Sequence, residues 1–284
     1  MGKKIFILIS AIYFCFCANA QNYKGHYSDS FIQFNSNTGN SQPCYFQDST
    51  TWDIGIQRKM AAGELRDIAL TQVAVGYKLA QKKSVQGFKF NILNEQEGPY
   101  IGYNELNLNY CIEKQLFKNW NAGVGIAGGF HSINMNSPTY TMATFLPNLN
   151  IGAVIKNRST KIYFSSLQFL DISKNNFYAN RYFVGSVCTR KTMNYSWNWK
   201  PSCQIKIYKD VPYLASVISE FEYKESLNMA VGTTNQFAIV SAIEFKINLH
   251  TDKYLRFGVA YQHNKYSSFY LKPNSIEFKI NYSI

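Results

Sequence analysis

Apolar and polar residues alternate with a period of two along most of this chain, most clearly in the last stretch, Ser275–Ile284. The apolar residues of this stretch are Ile276, Phe278, Ile280, Tyr282 and Ile284. Such alternation indicates a β-strand with one apolar and one polar face, and its length suits a tilted strand that crosses a membrane. We predict that the strand faces lipid on one side and a polar lumen on the other, and closes a barrel against the first strand.

The same pattern recurs from Trp52 onwards and predicts an all-β fold, a single antiparallel transmembrane outer-membrane β-barrel of about 14 strands. The predicted strands begin at or near Trp52, Gln72, Gly87, Glu105, Trp120, Pro147, Lys161, Arg181, Tyr195, Tyr213, Ser226, Phe237, Leu255 and Ser275. In the fifth strand, Gly123, Gly125 and Gly129 fall on the lumen side. Inward glycines leave room at the wall, which is typical of places where something packs inside.

The chain before Trp52 lacks this alternation and divides into two parts. Residues 1–20 resemble a secretory signal peptide, with Lys3 and Lys4, an apolar run and the small-residue cleavage site Ala18-Asn19-Ala20. Residues 21–51 are rich in Ser, Asn and Gln and predict an N-terminal periplasmic or plug-like segment. Residues 52–284 then form the predicted barrel.

Barrels of this class have short periplasmic turns and longer outer loops. With both termini in the periplasm, we predict outer loops at Leu93–Tyr103, His131–Leu146, Leu167–Asn180 and Asn264–Asn274. These loops are aromatic, and exposed aromatic residues favour protein interfaces, although they can instead pack on one another over the barrel mouth. The predicted partner-binding residues are Tyr100, Tyr103, Tyr140, Phe177, Tyr178, Tyr266, Phe269 and Tyr270.

The remaining chemistry of the chain predicts no catalytic, cofactor or metal site, and hence no enzyme. Gly123-x-Gly125-x-x-Gly128 matches a dinucleotide fingerprint only formally, because it lies inside an alternating strand with no following helix. The formal net charge is +12, but the Lys and Arg residues are scattered, mostly in turns, so we predict no nucleic-acid partner.

Four cysteines lie outside the predicted signal peptide: Cys44, Cys111, Cys188 and Cys203. In an exported protein they allow three disulfide connectivities. Cys111 falls on a lumen-facing position and Cys203 on a lipid-facing one, so these two should not pair. The other pairings stay open, and the spacings fit no metal motif.

Two blocks of strand and turn resemble a known family. The first is Gly87–Asn91 followed by Glu97-Gly98-Pro99 and Asn104–Tyr110, and the second is Pro147–Ile155 followed by Lys161–Leu167. Their order and spacing are similar to those of the PorP/SprF-type membrane proteins of type IX secretion in Bacteroidetes, from about Trp52 to the C-terminus.

The resemblance implies an outer-membrane component of type IX secretion or gliding motility that supports export or surface anchoring of a large secreted adhesin. The implied partners are the adhesin or its C-terminal domain, other type IX secretion components and outer-membrane lipid. The residues alone also allow a diffusion or uptake channel, either porin-like or a transporter of hydrophobic solutes.

Overall fold

The structure, a computed structural model, is an all-β closed barrel of 14 antiparallel strands, which confirms the fold predicted from the alternation. It describes residues 43–44, 51–62, 68–80, 84–117, 119–137, 140–167, 182–208, 213–235, 238–250, 253–264 and 274–284. Within these ranges, no helix is both long and apolar enough to cross a membrane. The predicted signal peptide lies outside the described residues.

Each strand pairs with its neighbours in chain order. The strands are β1 (Trp52–Ala61), β2 (Ile68–Ala80), β3 (Ser84–Glu97), β4 (Ile101–Phe117), β5 (Trp120–Ser137), β6 (Tyr140–Lys156), β7 (Thr160–Leu167), β8 (Tyr182–Thr189), β9 (Lys191–Thr192), β10 (Trp197–Tyr208), β11 (Leu214–Tyr223), β12 (Leu227–Thr234), β13 (Ala238–His250), β14 (Lys253–Asn264) and β15 (Ser275–Ser283). The two-residue β9 continues β8, because both pair with β10, so the barrel itself has 14 strands.

The last strand closes the barrel against the first, as the sequence predicted. β15 pairs with β1 from Asp53 opposite Ser283 to Ala61 opposite Ser275, without a shift of register. On the lumen side of this seam, Asp53 accepts hydrogen bonds from Asn281 Nδ2 and from Ser283 Oγ, the latter at 2.8 Å. A buried carboxylate is costly without donors, so these contacts hold the seam together from inside.

The two faces of the wall differ as predicted. Ile54 and Ile56 on β1 are 46% and 47% exposed on the outer face, whereas Gln57 and Lys59 on the same strand are fully buried inside. Lipid can cover the apolar outer face without burying side-chain polar groups, and the hydrogen-bonding side chains of the inner face stay away from lipid.

An aromatic row crosses the outer face near one rim. Trp52, Tyr77, Phe88 and Tyr110 stand directly opposite one another on β1 to β4. The ring centroids of Trp52 and Tyr77 lie 4.6 Å apart, and those of Phe88 and Tyr110 lie 5.1 Å apart. Such rows are typical of the girdles that sit at membrane–water interfaces.

The two rims of the barrel differ in their connections. We call the rim at which Trp52 and Ser283 lie the terminal rim, and the rim at which Ala61 and Ser275 lie the opposite rim. Connections at the terminal rim are short, and the two longest connections of the barrel, 168–181 and 265–274, are both at the opposite rim. This asymmetry is typical of outer-membrane barrels, whose longer loops face outward.

Two of the four predicted outer loops are wrong. β3 and β4 continue through most of Leu93–Tyr103 and leave only the turn 98–100, where Gly98 adopts a positive φ of 73°. Likewise β5 and β6 continue through most of His131–Leu146 and leave only 138–139. Polar residues such as Asn94 occupy the outer face of these extensions, and the inner face carries apolar Leu93 beside Glu95, so the lipid-imposed contrast between the faces disappears there.

The other two predicted loops, Leu167–Asn180 and Asn264–Asn274, lie almost entirely outside the described residues. Among the turns, Lys224 and Glu225 connect β11 to β12 in a tight hairpin. Both residues have positive φ, 45° and 57°, and Ser226 N donates to Tyr223 O at 3.0 Å. That conformation matches the right-handed twist of the flanking strands.

Candidate functional site in the barrel lumen

One side of the lumen, formed by β10 to β15, carries a ladder of buried charges. Lys200 Nζ lies 3.0 Å from Glu220 Oε1 and 2.5 Å from Glu222 Oε2. Further round the wall, Lys279 Nζ lies 3.3 Å from Glu244 Oε2, and both side chains are completely buried. Because these residues sit on different strands, the register of the sheet brings the opposite charges together.

The facing side, formed by β4 to β6, is lined mainly by amides around the carboxylate of Glu105. It also carries an ion pair near the terminal rim, in which Lys156 Nζ lies 2.6 Å from Glu113 Oε2. Glu105 accepts hydrogen bonds from Asn148 Nδ2 at 3.1 Å, from Asn107 Nδ2 and from the Tyr103 hydroxyl at 2.8 Å. Asn148 Nδ2 also donates to Asn107 Oδ1 at 3.1 Å. This network links β4 to β6 across the lumen-facing surface of β5, where Gly129 lies between Asn107 and Asn148.

A turn from the segment before the barrel, Pro43–Cys44, lies inside the barrel against this amide-lined side. A Cβ added at Gly125 would lie 2.6 Å from Cys44 Sγ and 3.2 Å from Pro43 Cβ. A Cβ at Gly152 would lie 3.2 Å from Pro43 Cδ. The inward glycines of the fifth strand were predicted to leave room for something packed inside, and at Gly125 this is the Pro43–Cys44 turn. Gly125 and Gly152 on β6 together form the recess that holds this turn.

Cys44 sits deep in this recess. Its sulfur lies 2.9 Å from Cys111 Sγ on β4 and 3.5 Å from the carbonyl oxygen of Gly152. Cys44 and Cys111 are each 1% exposed and pack with Val154 and Tyr163. The predicted inward orientation of Cys111 is thus correct, and Cys203 on β10 is exposed on the outer face.

An apolar cluster lines the lumen towards the opposite rim. It consists of the buried side chains Leu70, Leu93, Tyr103 and Ile133, on four successive strands. The rings of Tyr103 and His131 stack with centroids 5.8 Å apart. The sequence analysis missed this apolar patch, because it placed Leu93 and Tyr103 in one outer loop and Ile133 in another, whereas β3 to β5 continue through these positions.

The structure places the predicted partner-binding residues in different settings. Tyr100 is 54% exposed in the turn between β3 and β4. Tyr103 was predicted in an outer loop, which is wrong, because it lies in β4 with 3% exposure. Tyr140 is the first residue of β6. The other five candidates lie outside the described residues: Phe177, Tyr178, Tyr266, Phe269 and Tyr270.

The described lumen side chains carry their carboxylates in ion pairs and hydrogen-bond networks. Within the described ranges, no group of three or more His, Cys, Asp or Glu side chains comes close enough to hold a metal ion. The carboxylates of the charged wall face lysine and arginine instead. The lumen is therefore arranged for internal packing and ion pairing.

The 14-strand barrel, its apolar outer wall and its unequal rims are features of an outer-membrane protein, and the family comparison agrees with them. The family model for the type IX secretion system membrane protein PorP/SprF matches residues 24–282, nearly the whole chain. The chain belongs to the PorP/SprF family. This confirms the resemblance seen in the strand and turn blocks, and the family implies an outer-membrane barrel of the type IX secretion system.

Solved structures share the barrel architecture at low sequence identity. The CymD monoaromatic hydrocarbon channel has a TM-score of 0.56 and 9% identity, covering 84% of this chain and 90% of that chain. The Ralstonia pickettii toluene transporter TbuX has a TM-score of 0.55 and 7% identity, covering 81% and 88%.

A FadL homologue of Pseudomonas aeruginosa has a TM-score of 0.53 and 8% identity, covering 84% of this chain and 90% of that chain. Such likenesses concern the fold alone. Among curated proteins, none matches this chain. Fold and family together support a location in the outer membrane.

Proposed function

We propose that this chain is a non-catalytic outer-membrane component of type IX secretion that binds a large exported adhesin, or the adhesin's C-terminal domain, and anchors it at the cell surface. The observation that carries the proposal is the family match over residues 24–282. In a gliding Bacteroidetes cell, the same role would contribute to motility. Other type IX secretion components are the expected partners on the periplasmic side.

The lumen supports a binding role over a free diffusion path. Its charged wall is neutralised internally, with Lys200 and Lys279 each in contact with a glutamate. Its other wall is in contact with the chain's own Pro43–Cys44 turn. A path for solutes would need unoccupied space and polar groups directed towards the passing solute, rather than towards each other.

The opposite rim is the surface proposed to grip the adhesin. Tyr100 is half exposed at the tip of the β3–β4 hairpin, and Tyr side chains provide a large contact area at a small cost in conformational entropy. The connection 265–274 at the same rim contributes Tyr266, Phe269 and Tyr270 from the sequence. Together these rings would form the contact with the exported domain.

The test combines loop variants with a matched control in cells that produce the adhesin. Tyr100→Ala, and separately the triple change of Tyr266, Phe269 and Tyr270 to Ala, should release the adhesin into the medium while the barrel stays folded and inserted. Tyr195 is completely exposed at the terminal rim, so Tyr195→Ala should leave the adhesin on the surface. Immunoblots of intact cells and of medium measure both. If adhesin retention is the same in the loop variants and in the control, the anchoring proposal is wrong.

The alternative is a diffusion or uptake channel, because the CymD hydrocarbon channel and the toluene transporter TbuX share the barrel fold. Conductance of the purified barrel in planar bilayers separates the two roles. An open channel gives steady single-channel currents, and its gene deletion lowers solute uptake without loss of a surface protein. The secretion role predicts the reverse: negligible current and loss of one named surface protein on deletion.

A further inference from the structure

Two cysteines that are 67 residues apart in sequence meet inside the barrel. Cys44 Sγ and Cys111 Sγ are 2.9 Å apart, and both side chains are 1% exposed. A disulfide bond needs the sulfurs at about 2.05 Å, so a movement of less than one ångström is sufficient. At this distance no side chain lies between the two sulfurs, so none has to move before they can bond.

The recess around the pair fixes the position of Cys44. Gly125 and Gly152 each lie so close to the Pro43–Cys44 turn that a Cβ at either position would come within 3.2 Å of it. Cys44 Sγ also contacts the carbonyl oxygen of Gly152 at 3.5 Å. Cys111, in turn, is held in the middle of β4, between β3 and β5. Neither sulfur can turn far from the other while the barrel is folded.

The two remaining cysteines of the barrel do not compete for this pairing. Cys188 stands opposite Ser202 on the inner face, whereas Cys203 stands opposite Val187 on the outer face. Because opposed residues of antiparallel strands share a face, Cys188 and Cys203 point to opposite sides of the sheet. They also lie on β8 and β10, several strands away from β4.

We propose that Cys44 and Cys111 are joined by a disulfide bond that fastens the N-terminal segment covalently to the inner wall of the barrel. An exported outer-membrane protein passes through an oxidising compartment, where such bonds form and persist. The oxidant is a disulfide-bonded thiol oxidoreductase. One cysteine thiolate attacks its disulfide, and the other thiolate displaces the oxidoreductase sulfur. The two electrons and two protons lost by Cys44 and Cys111 leave as the dithiol form of the oxidant.

The bond would make the Pro43–Cys44 turn a permanent part of the lumen lining. It closes a covalent ring from Cys44 to Cys111 that contains β1, β2, β3 and most of β4. Since both sulfurs are buried, a reductant reaches the bond only after the barrel unfolds. This tether is independent of which partner the rims bind, so its test stands apart from the adhesin experiments.

The test is disulfide mapping of protein extracted from outer membranes without a reductant. The protein is unfolded in urea with iodoacetamide and digested with trypsin, which releases Cys44 in Gly25–Arg58 and Cys111 in Phe90–Lys114. The internal controls are the peptides of Cys188 and Cys203, Tyr182–Arg190 and Thr192–Lys206. Mass spectrometry should find the first two peptides as one linked species that separates on reduction.

Single variants and folded-state reduction complete the design. Cys111→Ser should abolish the linked species and convert Cys44 into an alkylated thiol, whereas Cys188→Ser should leave the linked species unchanged. Treatment of the folded barrel with dithiothreitol should leave most of the bond intact, and prior unfolding should remove it. The proposal is overturned if Cys44 and Cys111 of never-reduced protein are both alkylated, or if Cys44 is linked to Cys188 or Cys203.

Discussion

The buried ion pair between Lys279 and Glu244 gives the sharpest test of the lumen geometry. Lys279 Nζ and Glu244 Oε2 are 3.3 Å apart, with no exposed surface on either side chain. Removal of one partner of a buried pair typically costs about 3–5 kcal/mol, because the other charge stays buried without compensation. Glu244 also accepts from Asn228 at 3.1 Å and has Arg256 Nε at 3.9 Å, so the lower end applies.

We expect Lys279→Met to lower the free energy of unfolding by about 3 kcal/mol, and Glu244→Gln to lower it by a similar amount. The double variant should lose less than the sum of the two, with a coupling of about 2 kcal/mol, because the second change removes the charge that the first leaves unpaired. The measurement is urea unfolding in lipid vesicles, followed by heat-modifiable gel mobility.

An exposed pair serves as the matched control. Arg190 lies 3.6 Å from Glu225, which is well exposed, so Glu225→Gln should change the stability by less than about 0.5 kcal/mol. If Lys279→Met costs no more than Glu225→Gln, or if the two buried changes are simply additive, then the lumen is hydrated at this position and the ion pair contributes little to the fold.

Three further changes test the wall, the recess and a turn. Ile280→Arg, on the outer face, should lower the stability of the barrel in lipid by about 2–4 kcal/mol, whereas Ile280→Leu should change it little. If both variants unfold at the same urea concentration, Ile280 does not face lipid. Gly125→Val should cost about 1–3 kcal/mol of stability, because the new side chain would overlap Cys44. Gly128→Val should be neutral, because the space around its Cβ position is open, and equal unfolding midpoints would contradict the packing of Cys44 against Gly125. Asn157→Ala should cost about 1 kcal/mol, since Asn157 Oδ1 accepts from the backbone N–H of Ser159 and Thr160, and an unchanged midpoint would show that this turn needs no side-chain bonds.

The candidate site was only partly predictable from the sequence. The inward glycines of β5 indicated a packed segment, and the alternation gave the inner face of Cys111. The identity of the packed residues, Pro43 and Cys44, came only from the structure, because residues 21–51 have no periodicity that could assign them to a face. Similarly, the exposed aromatic loops were inferred from composition, which cannot separate a loop such as that at Tyr100 from a strand position such as Tyr103.

The sequence by itself determined the barrel, its strand number and the two faces of strands such as β1 and β15. Lipid on one side and polar groups on the other force a period of two, which is visible without any tertiary contact. Only the tertiary structure decided where β3 to β6 end, because beyond the membrane polar residues also occupy the outer face and the alternation carries no signal. It also decided which charges and which cysteines meet. Lys279 and Glu244 are neighbours through the register of β13 to β15, and Cys44 reaches Cys111 because the Pro43–Cys44 turn packs inside the lumen.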